Sequence, residues 1–317
     1  MTSLDPSPAI PPTVPDAPRG NWVDTYAPPW FRPYAHLARL DRPIGWWLLL
    51  WPCWWSLALA TGASGQPIPN PWHLFLFWLG SVVMRGAGCT YNDIVDREID
   101  AKVARTRSRP IPAGRVTVKN ATAFMLALSL VGFLVLVQFN LFAVALGIAS
   151  LAVVAVYPFM KRVTGYPQVV LGLAFSWGGL MGWAVTFGAL SEAAVALYLA
   201  AVAWTVGYDT IYAHQDREDD ALIGLGSTAR TWGDQSGVFL GFCYGASGLL
   251  LAIALVLSGA GLLAFVGLAG FALHLAWQVA RFDMNNGERC LMLFKSNREA
   301  GLIPFVGLLA DAAIRSI

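Results

Sequence analysis

Charge is what this chain has least of. Only 13% of its 317 residues are Asp, Glu, Lys or Arg, against about a quarter in a soluble globular protein. Hydrophobic residues make up 56%, and the mean hydropathy is +0.56. So few charges cannot cover a water-facing surface, which excludes a soluble domain and leaves a polytopic membrane protein. Cysteine is scarce too: Cys53, Cys89, Cys243 and Cys290 form no CxxC pair, so neither a disulfide framework nor a zinc site is indicated. Of the four histidines, His36, His73, His214 and His274, only His214 lies near an acidic motif, and none belongs to an HExxH. No GxSxG, no Walker A and no GxGxxG in a strand context occurs, so nucleophilic hydrolysis and nucleotide binding lack support. Nothing points to a nucleic-acid partner.

The N-terminal stretch has no apolar run. Residues 1–35 are rich in proline and read as an extended cytoplasmic tail ahead of a transmembrane domain at 36–317. They lack the basic start and apolar core of a signal peptide, and they are not the Arg-rich, acid-poor segment of a mitochondrial transit sequence. The expected location is therefore a bacterial inner membrane, with a mitochondrial inner membrane as the alternative.

What is present is a series of apolar runs of about 20 residues, the length a helix needs to cross a bilayer. Nine are expected, near 44–62, 72–94, 119–137, 139–157, 167–188, 192–213, 236–258, 260–281 and 298–316. The last carries Arg298, Glu299 and Asp311. The connections near 63–71, 138, 189–191 and 259 hold no Lys or Arg, whereas those near 95–118, 158–166, 214–235 and 282–297 hold most of the basic residues. By the positive-inside rule the N-terminus and the long loops face the cytoplasm. The pattern of a span ending in acids and a basic loop occurs twice, at 72–115 and 192–230.

The few acids are concentrated. Of 19 Asp and Glu residues, Asp93, Asp96, Glu98 and Asp100 form one run, and Asp209, Asp216, Glu218, Asp219 and Asp220 another. Carboxylates at a membrane boundary are costly to desolvate, so such density points to a cation or a polar substrate. Asn92, Asp96 and Asp100 recur every four residues, and Asp93 lies seven before Asp100, so a helix presents them along one face. That oxygen-rich face suits hard Mg²⁺, which binds through one or two carboxylates, waters and substrate phosphates. Asp209, Asp216 and Asp220, seven and four apart, repeat the arrangement if their helix continues. The plainer alternative is a solvated helix end, with the acids paired to Arg97 and Arg217.

Basic residues follow each run: Lys102, Arg105, Arg107, Arg109 and Arg115 after the first, Lys161 and Arg162 in the next long loop. They suit the oxygens of a metal-bridged diphosphate, although topology alone also accounts for them. Arg85 lies inside the second span on the face of Asn92, where an arginine without a role is expensive. It can brace the acids or meet an anionic substrate group. Asp41 and Arg42 open the first span, either as part of a site or as a headgroup anchor.

These residues resemble the UbiA superfamily of intramembrane prenyltransferases. Asn92-Asp93 through Asp100 is similar to its first aspartate motif, NDxxDxxxD. The stretch Tyr208 to Asp220, with Ile223-Gly224-Leu225-Gly226-Ser227-Thr228, is similar to the second. The flanks Arg39–Gly45, Trp51-Pro52, Arg109–Gly114 and Tyr157–Arg162 resemble the branch that prenylates 4-hydroxybenzoate in ubiquinone synthesis. The resemblance implies an all-α fold of about nine transmembrane helices around a central cavity open to the cytoplasmic face. It also implies Mg²⁺ dependence, with polyprenyl diphosphate and 4-hydroxybenzoate as substrates. Asn92, Asp96, Asp100, Asp216 and Asp220 are then the metal residues, and Asp96 and Asp216 the catalytic ones. Arg42, Arg85, Asp93, Arg109, Lys161, Arg162 and Asp209 are the substrate-binding ones. Homogentisate, dihydroxynaphthoate or haem as acceptor stays open, as does, from another class, an ion-coupled transporter.

Overall fold

A computed structural model describes residues 20–103, 106–215, 217 and 224–316. Among these residues all regular structure is helical. The short helices α1 (Trp22–Tyr26) and α2 (Arg32–Leu37) precede α3 (Ile44–Ala63), α4 (Pro71–Asp100), α5 (Val118–Leu136) and α6 (Leu141–Met160). Then come α7 (Pro167–Phe175), α8 (Gly178–Phe187), α9 (Glu192–Ala213), α10 (Thr228–Trp232) and α11 (Ser236–Leu257). The chain ends with α12 (Leu262–Arg281), α13 (Gly287–Lys295) and α14 (Asn297–Arg315). Among the described residues eight stretches are long and apolar enough to cross a membrane, α7 with α8 and α10 with α11 each counting as one. The expected ninth span is α14, whose Arg298, Glu299, Asp311 and Arg315 dilute its apolar run.

Local chemistry explains most boundaries. Asn140 caps α6 by accepting the Ala143 N–H at 2.9 Å, and Ser191 caps α9 through the Ala194 N–H at 3.3 Å, with Glu192 in the first turn. Gly188, at φ +65°, closes α8 in the left-handed conformation that glycine adopts without penalty. Two details differ from the sequence reading. The span expected at 167–188 is broken at Ser176 and Trp177. There the Ser176 hydroxyl bonds Thr205 at 3.1 Å, and Gly178 and Gly179 weaken continuation. The segment read as an extended tail is helical at α1 and α2. Val23 and Ala35 there are fully buried, with Ala27, Phe31 and Leu40 around them.

The chain divides into two compact units. The first comprises the residues up to Gly45 together with Val82–Gly132. Its second apolar cluster joins Leu37, Val116 and Ala121 with Tyr34, Ile94, Ile111 and Phe124. The other unit, Trp46–Ser81 with Phe133–Ile317, holds most of the spans. Its interior is aromatic. Trp47 stacks on Trp46 and Trp51, Trp54 stacks on Phe305, and Trp55 stacks on Trp204. Two buried polar tips there are matched: the Trp204 Nε1–H donates to Asn297 Oδ1 at 2.8 Å and the Tyr244 hydroxyl to Gln278 Oε1 at 2.6 Å. The four cysteines are buried and unbridged.

Helix α8 meets α3 at Gly182, where a Cβ would strike the backbone of Ser56 and Leu57. Small residues permit such approaches between membrane helices. Gly182→Ala should therefore lower stability by about 1–3 kcal/mol, the usual cost of overpacking. Gly237→Ala, at a helix position with nothing within 4 Å, should be neutral or stabilising by up to about 1 kcal/mol. The check is the apparent melting temperature of detergent-purified protein.

Candidate active site

The first acidic run is the last part of α4 itself, which continues to Asp100, in keeping with the helical spacing of its acids. Beyond Gly88 no Gly or Pro interrupts the helix before Asp100, so it runs through the motif even though most of these residues are only middling helix formers. Three of its carboxylates turn inward: Asp93 and Asp96 are fully buried and Asp100 is 4% exposed. Asn92 is half-buried. Arg97 and Glu98 point outward and pair with each other at 3.0 Å, so Arg97 does not serve the motif as the plainer reading expected.

Arginines from outside α4 balance the buried acids. Arg39 grips Asp93 with one nitrogen, 2.7 Å from Oδ1 and 3.0 Å from Oδ2. Arg109 bridges two carboxylates, 3.2 Å from Asp93 Oδ1 and 2.8 Å from Asp100 Oδ2. The turn that delivers Arg109 closes through Ala113 and Gly114 N–H bonds to Arg109 and Ile111, with Gly114 at φ +68°. Arg39 occupies the left-handed region too, at φ +56°, and among the described residues no other non-glycine does. That conformation puts Nη1 2.7 Å from the His36 carbonyl while Nη2 reaches Asp93.

Asp41 and Arg42 form a second, adjoining cluster. Arg42 contacts Asp41 at 3.0 and 3.2 Å, and His36 Nδ1 lies 3.1 Å from the same carboxylate. Burial would raise the Asp41 carboxyl, but the His36 bond and the Arg42 charge together hold it below its usual range. His36 Nε2 faces Asp24 at 3.1 Å, which ties α1 to this turn. Sequence reasoning missed Arg39 and His36 as partners. Arg39 lies 54 residues from Asp93, and no local pattern carries that pairing.

The second run divides. Asp209 lies half-buried within α9, which ends at Ala213. Asp216 and Asp220 lie outside the described residues, as does Arg105 of the first basic loop. Arg217 approaches Met284 Sδ at 3.8 Å. The flank of this motif is docked by several neutral bonds and by the Arg230 guanidinium, which donates to the Leu225 carbonyl. The Gly226 N–H donates to the Lys161 carbonyl at 2.7 Å, and the Thr228 N–H to Gln168 Oε1 at 3.0 Å. The hydroxyls of Thr228 and Thr210 lie 2.7 Å apart. Lys161 thus joins the loop after the second run through its backbone, while Arg162 is exposed, 5.9 Å from the Phe159 ring centroid. His214 is buried against Phe282 with no hydrogen-bond partner among the described residues on either ring nitrogen, and burial, with Arg217 nearby, pulls it down to about 4.

No group of three His, Cys, Asp or Glu side chains among the described residues converges as a ready metal cage. The donor set nevertheless fits Mg²⁺. Asn92, Asp96 and Asp100 offer hard oxygens, and the acids Asp93, Asp96 and Asp100 outnumber the guanidinium groups of Arg39 and Arg109.

The description "UbiA prenyltransferase family" matches residues 49–299. The chain belongs to the UbiA prenyltransferase family. A 4-hydroxybenzoate polyprenyltransferase, mitochondrial, of Aedes aegypti is 47% identical over 279 residues, covering 87% of this chain and 63% of its own length. This UbiA chain also resembles an apo structure of a UbiA homolog from Aeropyrum pernix K1. The TM-score is 0.68 at 26% identity, covering 82% of this chain and 97% of that one. A UbiA homolog from Archaeoglobus fulgidus bound to GPP and Mg²⁺ shares the fold, with a TM-score of 0.62 at 18% identity over 90% of this chain and all of that one.

The pairing of Arg39 with a strained backbone gives a test. Arg39→Ala and Arg39→Gly both remove one of the two arginines on Asp93 and leave Arg109, so both should be less stable than wild type. Glycine alone also relieves the left-handed strain, so Arg39→Gly should be the more stable of the two by about 1 kcal/mol. Thermal unfolding of the two variants side by side checks the order.

Proposed function

We propose that the protein transfers a polyprenyl group from polyprenyl diphosphate to 4-hydroxybenzoate, at the ring carbon ortho to the hydroxyl, and releases diphosphate, as a step of ubiquinone biosynthesis. One observation carries the reading. The buried carboxylates of α4, braced by Arg39 and Arg109, stand in a chain nearly half identical to a relative named for this reaction.

The chemistry asks little covalent work of the protein. The carbon–oxygen bond of the allylic diphosphate breaks, the diphosphate keeps the electron pair, and the allylic cation is delocalised. The ring carbon, enriched by the phenol oxygen, supplies the pair for the new carbon–carbon bond, and loss of its proton restores aromaticity. Asn92, Asp96 and Asp100, with Asp216 and Asp220, would hold magnesium. When bound, the metal neutralises charge on the departing diphosphate. Arg109, Lys161 and Arg162 are assigned to diphosphate oxygens, which favour charge-assisted donors. Asp93 fixes Arg39 and Arg109 in place, and Asp209 is assigned to the substrate. Of the two arginines weighed for the acceptor carboxylate, Arg42 is engaged by Asp41 in its own turn. Arg85, inside the second span and seven residues before Asn92 on the same helix face, is assigned to the carboxylate. The long prenyl tail lies in the apolar spans. An inner membrane is the site of action, with the N-terminus on its cytoplasmic or matrix side. The word mitochondrial in the name of the Aedes relative supports the mitochondrial alternative over a bacterial membrane.

Chelation of divalent metal with EDTA should abolish product formation, and added Mg²⁺ should restore it. Asp96→Ala or Asp216→Ala should lower turnover by about 100-fold or more, as for loss of a group that stabilises transition-state charge, at unchanged abundance in the membrane. Mass spectrometry of the product made from several aromatic acceptors and mixed prenyl diphosphates reads out both substrates. Near-normal turnover in either variant would end the metal assignment, and preference for another acceptor would end that of 4-hydroxybenzoate.

A further inference from the structure

Gly45 is the second residue of α3 and is buried. It is not in the left-handed region, so its backbone conformation does not call for glycine. The reason for the missing side chain lies across from it, on α4. A Cβ built at Gly45 would stand 2.6 Å from Nε of Arg85, 3.0 Å from Nη2 and 3.1 Å from Cζ. All three nearest atoms belong to one guanidinium. This contrasts with Gly182, whose neighbours include the backbone of another helix. Any side chain at 45 must push the Arg85 head group aside, and a flexible arginine can yield without unfolding the helix pair. Gly45 and Arg85 both belong to the first unit, with Arg39, Asp41, Asp93 and Arg109.

We infer that Gly45 is a positioning residue: its bare Cα sets where the Arg85 guanidinium stands, and thereby how tightly the enzyme holds the carboxylate of its aromatic acceptor. The inference rests on the assignment of Arg85 to that carboxylate made above. An arginine holds a carboxylate best through two parallel N–H···O bonds, a geometry that tolerates little displacement. A misplacement of about 1 Å in a positioning group can cost on the order of 100-fold. The size of residue 45 is thus a specificity control acting through its neighbour, selective for acceptors bearing an acid group.

Wild type, Gly45→Ala, Arg85→Gln and the double variant should be compared in isolated membranes with each substrate varied in turn. Binding of 4-hydroxybenzoate to the detergent-purified proteins gives a second reading. Gly45→Ala is expected to raise the acceptor KM about tenfold, leaving kcat and the KM for prenyl diphosphate near wild type, the signature of lost uniform binding. Added to Arg85→Gln it should do nothing more, because the group it displaces has gone. A wild-type acceptor KM in Gly45→Ala, beside a raised one in Arg85→Gln, overturns the inference about Gly45 alone. A wild-type acceptor KM in Arg85→Gln overturns the assignment of Arg85 and the inference with it. Should Gly45→Ala reduce the amount of folded protein, Arg85→Lys, which removes the planar guanidinium, should restore it in the pair. Failure to restore it overturns the steric argument.

Discussion

The burial of negative charge at the end of α4 is the constraint around which the first unit is arranged. Desolvating a carboxylate costs several kcal/mol even after relaxation, and only close, well-directed partners offset it. Asp93, Asp96 and Asp100 cannot leave the interior without breaking the helix that carries them. The chain therefore brings guanidinium groups to them, Arg39 from before α3 and Arg109 from the loop after α4. Arginine suits this duty better than lysine, since it stays charged when desolvated and presents several donors at once.

Other features follow from the same need. Arg39 accepts a backbone conformation that costs a non-glycine residue about 1–2 kcal/mol. It is held there by bonds to Asp93 and to the His36 carbonyl. Strain of this kind persists where the surroundings over-determine a geometry. The short helices α1 and α2 contribute as well: His36 links Asp24 on one to Asp41 ahead of α3, and Arg42 completes that group. What reads as a tail in composition is in part a brace for the turn that supplies Arg39.

How much of this was legible in the sequence depends on the range of the interactions. Spans were legible because a bilayer demands long apolar runs, and Asn140 and Ser191 mark starts that local capping dictates. The acidic motif was legible for the same local reason, as its spacing of four and seven is helical. The pairings were not. Arg42, the nearer arginine to the first span, was the one singled out, yet it closes on Asp41, and Arg39 reaches Asp93 instead. Two arginines three residues apart look alike in a pattern, and only the positive φ of Arg39 separates their directions. The break at Ser176 was hidden because α7 and α8 together are as apolar as an unbroken span.

The two acidic runs also differ in how their surroundings hold them, and that difference has consequences. In the first unit the motif is braced by charge, so its geometry and its electrostatics are one quantity. Removing Arg109 both loosens Asp100 and makes the cluster more negative. In the other unit the flank of the second run is held largely by neutral bonds, from Gly226 to the Lys161 carbonyl and among Gln168, Thr210 and Thr228, beside one from the Arg230 guanidinium to the Leu225 carbonyl. Such neutral bonds fix position without adding charge. Changes at Thr210 or Thr228 thus act through geometry alone, whereas changes at Arg39 or Arg109 act through geometry and field together.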